Sequence, residues 1–237
     1  MISKFIFVTI LFYYLAKVST PPNKIKSTFQ DVYKREGIIG TFMYFLRVFG
    51  VFQLSMIYGF YVFLMYQQEY SGKPEFISND LPRLSKWENT FIVVSILKII
   101  GIALRLWCYK TLAEFFTFDI TINKHHKLIT HGPYRYLIHP SYAALLFLWP
   151  YLSYLASQFP PFIKLYESSL SPMTYSIFSF TILTCHPSSI VFKILITLTI
   201  IAMSNRMIKE EVMLKDHFGK EWDNYVKTRW RLIPYLI

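Results

Sequence analysis

HHKLITHGPYRYLIHPSY, residues 125–142, places four of the chain's six histidines within eighteen residues, between two strongly apolar segments. Gly132-Pro133 is a turn signal, and His139-Pro140 marks the edge of the next apolar run, because a residue before proline avoids helix and proline suits a first helical turn. A polar, turn-rich connector is therefore pinned at both ends to apolar segments.

Working outward, the 237 residues are 54% apolar and 19% aromatic, more than a water-soluble core of this length requires. The composition points to an all-α, polytopic integral membrane helical bundle. Crossing roughly 30 Å of hydrocarbon takes about twenty helical residues. Runs of that kind predict about five spans, near 3–18, 41–66, 90–112, 141–157 and 187–205. The first is short; Lys4 before it also suits a signal peptide, but no clear small-x-small cleavage site follows. Residues 173–184, MTYSIFSFTILT, are apolar yet brief, and Pro187 closes them off, so they read as a partial or re-entrant helix.

The 25 Lys and Arg against 14 Asp and Glu are spread along connecting segments rather than gathered in one arm, which argues against nucleic acid as a partner. Lys24, Lys26, Lys34 and Arg35 lie in loop 19–40. Lys124, Lys127 and Arg135 lie in loop 113–140, and seven further cations follow residue 205. Five crossings put these three segments on one side and Lys73, Arg83, Lys86 and Lys164 on the other, so the first side is predicted to be cytosolic. Lys98, Arg105 and Lys193 fall within spans, where a charge must snorkel, pair or line a cavity; a small shift of the spans would let Lys98 and Lys193 snorkel. Cys108 and Cys185 are too few and too apolar in context to form a disulfide framework.

The tail RMIKEEVMLKDHFGKEWDNYVKTRW, residues 206–230, has a broadly helical apolar stripe interrupted at Gly219, predicting an amphipathic cytosolic C-terminal helix. Arg206 and Glu210 are four apart and share a face, which by itself fits an ordinary surface ion pair. The connector's histidines have no ligand-like spacing with cysteine or carboxylate partners, so no metal site is expected. Interfacial Tyr and His belts account for Tyr136 and His131 but not for the whole string.

Taken together, two blocks resemble the isoprenylcysteine carboxyl methyltransferases, within the wider group of membrane methyltransferases. The first is His126-Lys127-Leu128-Ile129-Thr130-His131-Gly132-Pro133-Tyr134 followed by His139-Pro140-Ser141-Tyr142. The second is Arg206, Glu210, Glu211, Leu214, Phe218-Gly219, Glu221, Tyr225 and Pro234. The resemblance covers residues 115–237 and implies spans at 1–112 followed by a catalytic core at 113–237. It further implies an S-adenosyl-L-methionine pocket facing the cytosol, roofed by connector and tail, in an endoplasmic reticulum enzyme whose lipid-like acceptor arrives from the bilayer.

By that resemblance, His126, Lys127, Leu128 and Ile129 through their backbone, with Tyr134, His139, Pro140, Ser141 and Tyr142, line the cofactor. Glu210 holds the cofactor and Arg206 faces the substrate carboxylate, that of a prenylated C-terminal cysteine on a CaaX-type protein. Glu211 joins Arg206 and Glu210 in the catalytic group, and would be a candidate base, with His139, if the acceptor were a phospholipid amine. Two departures stand out: Ile138 occupies the place where the family carries arginine, and 158–185 reads as an insertion. A phospholipid N-methyltransferase, a sterol-reductase-like membrane enzyme using a nicotinamide and a scaffold without turnover are the competing readings.

Overall fold

The computed structural model describes residues 1–20, 22–23, 29–70, 81–116, 127–166 and 171–234; within these, the side chains of 29–36, 39, 43 and 166 are outside the description. The described residues are mostly helical, with α-helices in the order α1 (Ile2–Ser19), α2 (Phe29–Tyr70), α3 (Asn89–Leu112), α4 (Pro140–Ser157), α5 (Pro160–Tyr166), α6 (Pro172–Cys185), α7 (Ile190–Phe218) and α8 (Lys220–Val226). Among them, four helical stretches are long and apolar enough to cross a membrane: Ile2–Ser19, Gly40–Tyr70, Asn89–Phe115 and Ile190–Phe218. The chain is a helical membrane bundle. The fifth expected span, α4, is an 18-residue helix of about 27 Å, with Pro150 inside it and a tyrosine-rich composition that keeps it out of the apolar group.

Local sequence explains the breaks. Gly37 has φ +68°, a left-handed conformation that suits glycine, and it interrupts α2 just before the apolar stretch from Gly40. Ser171 caps α6 by accepting from the Thr174 amide at 3.2 Å, with Pro172 in the first turn. At 14 residues α6 is the partial helix that its length suggested, while α5 was not anticipated. The tail is helical and broken at Gly219 as expected: α7 continues from the apolar run to Phe218, and Gly219, at φ +54°, separates it from α8.

The chain divides into two compact units. One comprises Met1–Ala16, Phe49–Lys98 and Trp149–Thr197. Its interior is aromatic: Phe60 stacks on Phe178 at 3.9 Å and meets Phe159 edge-on at 4.9 Å, and Gln53 Nε2 donates to Thr184 Oγ1 at 3.0 Å. The 158–185 segment thus packs against α2 by ring contacts and one buried hydrogen bond. Lys98 does not snorkel as expected. It is 1% exposed, and its ammonium sits 3.6 Å from the centre of the Tyr151 ring, a cation–π contact in place of water. Lys193 is exposed. Lys4 is also buried, its ammonium 3.9 Å from the Phe91 ring centre and donating to the Lys86 carbonyl.

The other unit comprises Lys17–Val48, Ile99–Leu148 and Leu198–Ile237. Glycines allow two close approaches within it. A Cβ on Gly101 would lie 2.8 Å from the Ala144 carbonyl oxygen and 3.0 Å from Phe147 Cβ, so α3 and α4 touch backbone to backbone there. Gly132 has φ +61°, and a Cβ on it would lie 2.7 Å from Thr111 Oγ1, which seats the connector's turn on α3.

Candidate active site

Connector and tail meet within this second unit. Leu137 and Trp230 form a parallel bridge; the Ile138 amide donates to the Trp230 carbonyl at 2.8 Å and the His139 amide to the Arg231 carbonyl at 2.9 Å. Beneath this pairing, Ile138, Trp222 and Tyr225 make a buried cluster, with Leu128, Leu214, Phe218 and Val226 packed around it. Tyr225 donates to the Tyr134 carbonyl at 2.9 Å. Burial pushes its phenol up to about 12, so it remains a donor at neutral pH. The later part of the tail's apolar stripe, from Leu214 to Val226, is thus taken up by the connector, while Ile208 and Val212 stay exposed.

On this platform the polar residues form two chains. In the first, Arg206 Nε donates to the Tyr142 hydroxyl at 3.0 Å, and that hydroxyl donates to Glu210 Oε2 at 3.1 Å. The link from Arg206 to Glu210 therefore passes through a phenol from α4, which an isolated surface ion pair would not require. In the second, His139, 3% exposed, faces Glu211, with Nε2 to Oε1 at 3.0 Å. A carboxylate only accepts, so the imidazole proton is on Nε2. Arg231 grips the same carboxylate with Nε at 3.1 Å and its second nitrogen at 3.4 Å. Neighbouring glutamates on one helix thus serve different partners, because positions 210 and 211 point about 100° apart around the axis.

Of the residues singled out from sequence, Arg206, Glu210, Glu211, His139, Tyr142 and Tyr134 come together here. Burial holds the Tyr134 phenol well above its ordinary value, with Cys108 and Glu210 close enough to add to the shift. Leu128 joins the cluster beneath, and Ile129 is partly buried. Lys127 is exposed. Pro140 starts α4, and the Ser141 hydroxyl accepts from Arg105 Nη1 at 2.8 Å. His126 and His125 lie outside the described residues. Ile138, standing where arginine was expected, is 6% exposed and packed in the cluster, an environment with no room for a charge. Among the described residues no group of three His, Cys, Asp or Glu side chains could hold a metal ion.

Sequence reasoning missed Arg231 and assigned Arg105 no place in the site. Arg231 lies 92 positions from His139, and no spacing rule joins them.

Residues 93–158 match the sequence profile of the isoprenylcysteine carboxyl methyltransferase family. That match supports membership of the family. Two curated relatives, each named probable protein-S-isoprenylcysteine O-methyltransferase, come from Oryza sativa subsp. indica and subsp. japonica. Each is 27% identical over 157 residues, covering 65% of this chain and 66% of the relative, just under two thirds. No solved structure matches. The profile match runs from within α3 through the connector and α4, which carry Arg105, His139 and Tyr142; the tail residues Arg206, Glu210 and Glu211 lie beyond it.

Proposed function

We propose that this chain is a protein-S-isoprenylcysteine O-methyltransferase, with residues 113–237 as its catalytic core. The observation carrying the proposal is the Arg206–Tyr142–Glu210 chain, which holds a cation and an anion at opposite ends of one phenol. A zwitterionic donor and an anionic acceptor need that pair of charges side by side.

The donor set fits S-adenosyl-L-methionine. Glu210 offers a carboxylate for an ammonium group, the peptide groups of Lys127–Ile129 offer polar backbone, and Tyr134 and Tyr142 offer aromatic faces that tolerate a cation. When bound, the cofactor supplies an electrophilic methyl group on a sulfonium. The residues of the chain do the positioning. Arg206 fixes the acceptor carboxylate, its planar fork suiting a two-oxygen anion and keeping its charge near lipid. An α-carboxyl ionises near pH 3 to 4, about 3.3–3.7 unperturbed, so the acceptor is already a nucleophile at neutral pH and no base is needed. Alignment and exclusion of water then supply the rate.

A prenyl chain partitions into the bilayer whereas the donor is water-soluble, so the catalyst has to work at the boundary. We assign the site to the cytosolic face of the endoplasmic reticulum membrane, with the prenylated C-terminal cysteine of CaaX-type proteins as acceptor and membrane lipid around it. The competing amine acceptor would need a base, and Glu211 is committed to His139 and Arg231. Detergent-purified protein given labelled donor should methylate N-acetyl-S-farnesyl-cysteine and leave phosphatidylethanolamine unlabelled. The reverse pattern refutes the assignment.

A further inference from the structure

Arg105 lies in α3 within a stretch apolar enough to cross a membrane, and it is 8% exposed. A buried guanidinium is costly unless its N–H groups are satisfied. Nε is shared between the Val18 carbonyl at 2.8 Å and the Tyr109 hydroxyl at 3.1 Å, while Nη1 donates to Ser141 Oγ at 2.8 Å and to the Ser141 carbonyl at 3.2 Å. Tyr109 itself donates to the Val18 carbonyl at 2.5 Å. One planar group thus joins the last turn of α1, the body of α3 and the first turn of α4.

That first turn carries the chemistry. Ser141 precedes Tyr142, whose hydroxyl links Arg206 to Glu210, and follows His139, which faces Glu211, by two positions. First-turn residues lack part of the hydrogen-bond ladder that stiffens a helix interior, and Pro140 contributes no amide. An outside anchor therefore has most influence there, and Ser141 is where Arg105 applies it.

We propose that Arg105 is a positioning residue for methyl transfer, holding the first turn of α4 so that the Tyr142 hydroxyl reaches Arg206 and Glu210. It touches neither donor nor acceptor and acts through Ser141 and Tyr142. The inference rests on reading this site as the methyl-transfer centre. Lysine is no substitute, because one ammonium on a flexible stem cannot span Val18 and Ser141 in a fixed fork.

The test is a double-mutant cycle on the full chain in detergent, with labelled S-adenosylmethionine and N-acetyl-S-farnesyl-cysteine. Arg105→Lys should lower kcat/KM about tenfold in the wild-type background but less than about twofold in Tyr142→Phe, since the group being positioned has gone. Ser141→Ala, which keeps every charge, should repeat the pattern with a smaller loss and also serves if Arg105→Lys does not fold. Equal losses in both backgrounds, or full activity in Arg105→Lys, overturn the proposal, because a merely structural role multiplies independently of Tyr142. If the wild type methylates no prenylated cysteine, the functional reading fails by itself. Hydrogen exchange over 140–145 then decides the positioning role: faster exchange in both Arg105→Lys and Ser141→Ala supports it, and unchanged exchange overturns it.

Discussion

Arg206 Nε lies 3.0 Å from the hydroxyl of Tyr142, which in turn donates a hydrogen bond to Glu210. Tyr142→Phe removes that hydroxyl while keeping the ring. A hydrogen bond to a charged group contributes about 1.5–3 kcal/mol to stability, so the thermal unfolding midpoint should fall, and kcat/KM should fall roughly 10-fold or more because Arg206 and Glu210 lose the hydroxyl that links them. Steady-state rates and a melting curve in detergent check both halves.

The two ends of the chain should separate by ligand. Arg206→Ala and Glu210→Ala are each expected to abolish turnover and leave the protein folded. Calorimetry should show donor binding lost in Glu210→Ala and retained in Arg206→Ala. Full activity in either variant removes that residue from the site.

Glu211 is expected to behave as a structural support of the site. Its loss in Glu211→Ala leaves the buried His139 N–H without its acceptor, a cost of roughly 1–3 kcal/mol. Arg231→Ala removes a largely exposed guanidinium and should cost less than about 1 kcal/mol. Equal losses in chemical denaturation would contradict this ranking.

Gly132 tests the seating of the connector. Gly132→Ala meets both a left-handed backbone, about 1–2 kcal/mol, and Thr111 Oγ1 at 2.7 Å. Adding Thr111→Ala should recover the steric part and leave the backbone part. Complete recovery would show that φ at 132 carries no strain.

Much of this was legible in the sequence, for reasons specific to each element. Apolar run lengths marked α1, α3 and the span within α2 because the bilayer imposes a length, and Gly219 marked the end of α7 because a positive φ favours glycine. The resemblance carried by the two blocks, rather than spacing, brought out Arg206, Glu210 and His139 as site residues. Tyr142 was among the residues that the resemblance named, but its place between Arg206 and Glu210 was not legible, because it arrives from α4, 64 positions away from Arg206. Nor was the burial of Lys98: hydropathy treats its charge as a penalty, whereas the Tyr151 ring face accommodates it. The apolar setting of Ile138 followed only once Trp222 and Tyr225 were seen to enclose it.

The central claim is that this site esterifies a carboxylate with a methyl group. A methyl ester is cleaved by mild base to volatile methanol, whereas a methyl on nitrogen is not. Labelled S-adenosylmethionine is therefore incubated with the purified protein and a farnesylated cysteine acceptor, and the product is treated with base. The account predicts label in the acceptor that base releases as methanol, absent from Arg206→Ala. Label that withstands base, or no label in a protein that binds the donor normally, would contradict it.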